Sequence, residues 1–217
     1  RKKLFIHEQN SIDGGLNSYL KKYAKIYFNS FKTNHPYPIN KDFFKYSKIR
    51  NEVKTILFIG GSLGANFINN FAISISKELQ NKKIKIIHQC GKNDFEYIQE
   101  FYKENKIEVE LYPFIDNLAQ TMQKADFCIS RAGASSTFEL IANAMPTLFI
   151  PFPYAIYDHQ YSNALYFKNQ DLCFLKRENE LEKEYLLDLL DENFKGLSAK
   201  LKTYTKDNGA SQITNEI

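Results

Sequence analysis

From residue 54 to about residue 190, short β-rich apolar runs alternate with longer stretches of helical pattern. The runs fall at residues 55–59, 84–88, 108–112, 127–130, 147–150 and 172–175. The helical stretches lie between them, at residues 66–79, 94–104, 117–124, 135–144, 158–169 and 180–190. Regular strand–helix alternation predicts an α/β domain: a parallel sheet with crossover helices. Ligands of such sheets bind outside the carboxyl ends of the strands, so the loops that follow the strands carry the chemistry.

The flanks read differently. Residues 5–7, 16–24 and 25–29 form a strand–helix–strand pattern that suits the tail of a preceding domain. Residues 32–37, with two prolines close by, read as a linker. Residues 192–217 look helical with a break at Asn208-Gly209, and are expected to pack back across the domain boundary. The expected partition is residues 1–40, 41–190 and 191–217.

A chain of 217 residues, 43% apolar and 25% charged, can bury the core of one complete α/β domain plus an additional part. Its longest apolar runs, such as residues 147–154, fall far short of the roughly 20 residues that a membrane-spanning helix needs. The opening Arg-Lys-Lys-Leu-Phe-Ile is neither a native start nor a secretory signal, so the first residues are expected to be the interior of a longer polypeptide. Cys90, Cys128 and Cys173 lie in or beside strand patterns without metal-ligand spacing, which predicts buried, reduced thiols in a cytoplasmic protein. The net charge of +4 is small. Lysines nonetheless cluster at 2–3, at 21, 22 and 25, and with Arg50 at 41, 45 and 48. Such clusters suit anionic lipid headgroups or phosphate-bearing substrates, although most are only solvated faces. No nucleic-acid-binding signature is present.

Three segments carry candidate chemistry. Gly60-Gly61-Ser62-Leu63-Gly64-Ala65 follows the run 56–59 and precedes a helical pattern, where a doubly wound domain turns its backbone toward an anion. It lacks the Lys-Ser or Lys-Thr of a P-loop and the spacing of the dinucleotide fingerprint. In the second, Arg131-Ala-Gly-Ala-Ser-Ser-Thr-Phe-Glu139, Gly133 allows a turn and Ser135, Ser136 and Thr137 offer hydroxyls at capping positions. Glu139 can accept both hydroxyls of a ribose, or complete a capping box with Ser136. In the third, residues 151–164, Asp158 can cap the next helix, and His159, Gln160 and Asn163 supply neutral groups suited to sugar hydroxyls.

Taken in order, these segments resemble the MurG glycosyltransferases. The match extends through His7-Glu8-Gln9-Asn10 with Gly15 and Asn17, His88-Gln89-Cys90-Gly91, Phe114-Ile115-Asp116, and Asp158-His-Gln with Asn163-Ala164. The resemblance implies a GT-B fold of two facing Rossmann-like domains, of which only the end of the first is present here. It also implies inverting transfer of N-acetylglucosamine from UDP-N-acetylglucosamine to the undecaprenyl-pyrophosphoryl-muramyl-pentapeptide, at the cytoplasmic face of the bacterial inner membrane as a peripheral protein. On the donor side it places Gly61, Ser62 and Gly64 at the diphosphate, backbone at Ile115 at the uracil and Glu139 at the ribose. Ala134, Ser135 and Ser136 would lie beside the diphosphate, and Gln160 and Asn163 would contact the N-acetylglucosamine with His159 nearby. Glu8, Gln9 and Asn10 would meet the lipid-linked acceptor, and His7 is a weak candidate for general base. No cofactor or metal is expected, because neither an Asp-x-Asp nor a His/Cys cluster is present. The glycine-rich acceptor loop of that family is absent from this chain, which implies donor binding without catalysis by the chain alone. Its Pro-Val-Arg segment is replaced by Pro38-Ile39-Asn40. A UDP-N-acetylglucosamine 2-epimerase and a non-catalytic UDP-sugar-binding module remain the alternatives.

Overall fold

The computed structural model describes residues 3–33, 35–60, 65–205 and 208–217. Six strands form one wholly parallel sheet in the order β5-β4-β3-β6-β7-β8. They are β3 (Thr55–Ile59), β4 (Lys85–Gln89), β5 (Val109–Tyr112), β6 (Phe127–Ser130), β7 (Thr147–Phe149) and β8 (Phe174–Leu175). Counted from β3, this is the 3-2-1-4-5-6 order of a Rossmann domain, and its topological switch point lies between β3 and β6.

Strand geometry explains the core. Successive side chains of a strand point to opposite faces, so Leu57 and Ile59 enter one apolar cluster while Ile56 and Phe58 enter the other. The first face is covered by α5 (Leu118–Lys124), α6 (Ala134–Ala142), α7 (His159–Lys168) and α9 (Lys195–Tyr204). The second is covered by α3 (Asn66–Asn81), α4 (Phe95–Glu104) and α8 (Lys183–Leu189). Cys90, Cys128 and Cys173 are free and buried in these clusters, as the sequence led one to expect.

A separate parallel pair, β1 (Phe5–Glu8) and β2 (Ile26–Asn29), flanks α1 (Gly15–Leu20). The segment after β2 is no free linker. Phe31 packs edge-on against Phe138, Tyr166 and Phe167 at 4.9, 5.1 and 5.7 Å, and Tyr37 is buried in the same cluster. The short α2 (Asp42–Lys45) adds Phe43 to it. The last helix, α10 (Gly209–Glu216), returns to this segment. Gly209 N donates to Tyr37 O at 3.0 Å, and Asn208 Oδ1 accepts from Ile39 N at 3.2 Å.

Element ends differ from the sequence reading by up to four residues, the largest gaps lying at the end of α1 and the starts of α8 and α9. Helices α3, α4 and α6 close through Lys83, Lys106 and Ala144 in the left-handed conformation, with the following N–H groups bonded back to the last turn. No glycine marks these stops. Ile84 N is therefore spent on Leu79 O, and β4 begins at Lys85.

Candidate functional site

Helix α6 opens at the switch point, and its N-cap is Gly133, in an extended conformation with no side-chain cap. The expected hydroxyl caps do not form. Thr137 Oγ1 donates to Gly133 O at 2.8 Å, and Ser135 Oγ shares a 3.0 Å bond with the Tyr37 hydroxyl. The capping box of Ser136 and Glu139 is absent as well. The helix begins at Ala134, so Ser136 lies inside its first turn. Among the described residues, nothing accepts the N–H groups of Ala134, Ser135 and Ser136, which leaves the positive end of the helix open.

One turn further, Glu139 lines a cavity of 290 Å³ together with Ser136, Ile115, Phe114, Leu118, Phe43, Ile59 and Gln89. These residues come from the ends of β3 and β4, the loop after β5, and α2, α5 and α6. The sequence reading anticipated Ile115, Ser136 and Glu139 as neighbours of one ligand, and the fold brings them to one cavity. It missed Gln89, Phe114, Leu118 and Phe43. Gln89 and Phe114 end or follow strands on the ligand edge and were findable by that rule; Phe43 arrives from a helix outside the alternating pattern. Among the described residues the Glu139 carboxylate has no hydrogen bond or ion pair, and burial raises its pKa. An unpartnered carboxylate beside an apolar slot is suited to a flat ring carrying hydroxyl donors.

The loop after β7 is held from within. Gln160 Oε1 accepts from Phe152 N at 2.9 Å, and His159 Nδ1 donates to Ile156 O at 2.7 Å. Asp158 is left-handed and does not cap α7; its Oδ2 instead accepts from Arg177 Nη2 at 2.6 Å. Arg131 is also committed, to the carbonyls of Ile150 and Pro151 at 3.0 Å each and to Glu178 at 2.6 Å. Asn163 is fully buried, and its amide bonds Ser11 N, Asn10 Oδ1 and Ala132 O.

On the β1 side, Glu8 is not an open contact. It is 3% exposed, with Oε1 accepting from Asn10 N and Oε2 from Gly14 N and Asn17 Nδ2, at 2.8–3.0 Å. Burial pushes its pKa up, but these three bonds outweigh it and leave the carboxyl below its usual range. Gln9 is exposed, while Asn10 spends its carbonyl on Asn29 and its Oδ1 on Asn163. Among the described residues the buried Nε2 of His7 has no partner, and burial lowers the pKa of its ring. Gly61, Ser62 and Gly64 lie outside the described residues.

Residues 55–217 match the glycosyltransferase family 28 C-terminal domain. The chain is 46% identical over 212 residues to the UDP-N-acetylglucosamine–N-acetylmuramyl-(pentapeptide) pyrophosphoryl-undecaprenol N-acetylglucosamine transferase of Campylobacter jejuni, covering 97% of this chain and 62% of that protein. It is 42% identical over 233 residues to the protein of the same name from Helicobacter pylori, covering 99% of this chain and 66% of that protein. The chain thus spans less than two thirds of the length of these relatives. Among solved structures, that of Acinetobacter baumannii MurG superposes with a TM-score of 0.80 at 25% identity, covering 99% of this chain and 66% of that one. Os79 from O. sativa, solved in complex with UDP and deoxynivalenol-3-glucoside, shares the fold alone, with a TM-score of 0.54 at 14% identity over 92% of this chain and 50% of that one.

Proposed function

The chain belongs to glycosyltransferase family 28, and from that premise we propose that it carries the donor site of an enzyme moving N-acetylglucosamine from UDP-N-acetylglucosamine to a lipid-linked muramyl-pentapeptide. The observation that carries the reading is the Glu139 carboxylate, unpartnered among the described residues, in the same 290 Å³ cavity as Ile115 and Ser136 at the sheet's switch point. In this reading Ile115 and Phe114 flank the uracil and Glu139 accepts the ribose hydroxyls. The open N–H groups of Ala134, Ser135 and Ser136 receive the diphosphate, a ready anion site at a helix N-terminus.

The chemistry follows from those positions. An acceptor hydroxyl oxygen bonds the anomeric carbon as the bond from that carbon to UDP breaks, with inversion. The leaving diphosphate gathers charge where the α6 N–H dipoles are already aimed, so they stabilise the transition state more than the bound donor. The Gln160 amide N–H₂ and the His159 ring border the sugar. His7 is the candidate base on the acceptor side: burial favours its neutral form, and its Nε2 has no partner among the described residues. Gln9 and Asn10 supply the acceptor contacts.

A lipid-linked acceptor calls for a protein resting on the membrane, here proposed at its cytoplasmic face. Leu16, Tyr19 and Tyr23 are 60–70% exposed, with Lys22 above both tyrosine rings, a combination suited to an anionic interface. No helix among the described residues is long and apolar enough to cross a membrane.

Calorimetric titration of this chain with UDP-N-acetylglucosamine and with UDP-glucose tests the donor site. Saturable binding that prefers the N-acetyl sugar and weakens at least tenfold in Glu139→Ala is expected. Equal binding by parent and variant overturns the assignment. Transfer of labelled sugar to lipid, rather than epimerisation of the sugar, is then read on the full gene product.

A further inference from the structure

Tyr37 lies in the segment that joins the two sheets and is 4% exposed. Its ring stacks on Phe138 of α6 and lies 5.7 Å from the ring of His7. This packing delivers the phenol hydroxyl to the first turn of α6, where it meets Ser135 Oγ at 3.0 Å. Ser135, unlike Tyr37, is exposed.

The two hydroxyls hold two protons between them, and the bond they share uses one. Among the described residues neither hydroxyl has another hydrogen-bond partner. Burial decides which proton is used. An unsatisfied donor costs more inside the protein than at its surface, so the phenol gives its proton to Ser135. Ser135 then keeps an O–H of its own, beside the open N–H groups of Ala134, Ser135 and Ser136. Accepting one hydrogen bond also makes a hydroxyl a stronger donor of the next. Burial raises the pKa of the phenol, opposed by the Ser135 bond and aided by the Glu139 charge, so the proton stays in place. Arg131, the cation in the turn before α6, is committed to the carbonyls of Ile150 and Pro151 and to Glu178. The groups that α6 itself presents to an anion are therefore neutral donors.

We infer that Tyr37 is a positioning residue whose hydroxyl orients Ser135 Oγ, so that the serine proton is presented to the diphosphate of the donor substrate. The inference rests on the reading of the α6 N-terminus as the diphosphate site. As the bond between sugar and diphosphate breaks, charge grows on the diphosphate oxygens, and a donor already aimed there strengthens with it. Loss of the orienting hydroxyl therefore lowers turnover more than donor affinity.

Kinetics of the full gene product test this. Tyr37→Phe keeps the ring and its stack, and is expected to lower kcat about five- to tenfold while KM for UDP-N-acetylglucosamine stays within about threefold. Ser135→Ala is expected to lose about as much. Ser135→Thr, which retains a hydroxyl, is expected to stay within about threefold of the parent. The double variant separates positioning from a general loosening of the fold: if Tyr37 acts through Ser135, adding Tyr37→Phe to Ser135→Ala lowers kcat by less than about twofold more. Losses that multiply overturn the inference, because Tyr37 then acts without Ser135. A Tyr37→Phe variant that turns over like the parent, or whose loss lies wholly in KM, overturns it too. A folded parent that neither binds UDP nor transfers sugar refutes the diphosphate site and this inference together, whereas an active parent with an unaffected Tyr37→Phe refutes the inference alone.

Discussion

The Tyr37 hydroxyl meets Ser135 Oγ at 3.0 Å, and its ring stacks on Phe138 with centroids 4.3 Å apart and planes 12° from parallel. The segment between the two sheets therefore reaches the first turn of α6, where the diphosphate is proposed to lie. Tyr37→Phe keeps the stack and removes only a hydrogen bond, so it is expected to cost about 1 kcal/mol. Tyr37→Ala empties a buried aromatic site and is expected to cost about 3 kcal/mol or more. Urea denaturation of both variants separates the two contributions. Equal losses would mean that the hydroxyl, not the ring, holds the segment.

Arg50 is 1% exposed and donates from all three guanidinium nitrogens. Its bonds run to the carbonyls of Ala125, Lys48, Asn143 and Met122 and to Asn143 Oδ1, at 2.6–3.0 Å. Two of those carbonyls, at Ala125 and Asn143, belong to the C-caps of α5 and α6, groups that helices leave without partners of their own. Burial lowers the guanidinium pKa to about 10, so the charge persists at pH 7. Arg50→Met fills the stem but strands the carbonyls, and a loss of about 3 kcal/mol or more is expected by chemical denaturation. Arg50→Lys is expected to recover only part of it, because a point charge cannot span both helix ends.

Gly209 is fixed by space rather than by its torsion. A Cβ built there would sit 1.7 Å from Pro36 O and 2.9 Å from the Tyr37 carbonyl carbon. Both neighbours are backbone and cannot rotate aside, so Gly209→Ala must lift α10 from the 35–39 segment. A destabilisation of about 1–3 kcal/mol is expected, with proteolytic cleavage appearing first near residues 205–210. A variant that keeps the parent's midpoint and cleavage pattern would show that α10 is not docked there.

The sheet was legible because each strand has its own apolar run and the helices keep their period, so Ile56–Ile59 or Ile68, Ala72 and Ile75 could hardly be read otherwise. The helix stops were less so, since Lys83, Lys106 and Ala144 adopt a conformation that sequence reading assigns to glycine. Phe31 and Tyr37 sit among prolines and lysines, and only the fold reveals that their rings enter the Phe138 cluster. The site divides in the same way. Glu139, Ile115 and Ser136 follow from where strands end, a rule of topology. Glu8 was read as a ligand contact from the family resemblance, and Asn163 from that and from its place at the binding edge; neither reading shows the hydrogen bonds these side chains make within the chain. Asn163's partners lie 31 to 153 positions away in the chain, beyond any local pattern.

His88 sets an acid limit on stability. Asn69 Nδ2 donates to Cys90 O at 2.9 Å and to Asp94 Oδ2 at 2.7 Å, which turns Asn69 Oδ1 toward His88 Nε2 at 3.0 Å. An acceptor there requires the proton on Nε2, so Nδ1 accepts from the Tyr102 hydroxyl, also at 3.0 Å. Burial lowers the folded pKa from 6.5 to about 3. Between these values the unfolded chain binds a proton that the folded chain refuses. Stability is therefore fully present above pH 6.5 and is lost as pH falls below it, by about 1.4 kcal/mol per pH unit once well inside the window. His7, also lowered by burial, acts in the same direction. The lowered carboxyls of Glu8 and Asp13 add their losses only below their unfolded values of 4.5 and 3.8. Urea midpoints measured from pH 7.5 to 5 isolate the histidines. A slope that flattens in His88→Gln is expected, and an unchanged slope would mean that His88 titrates in the folded protein much as it does in the unfolded chain.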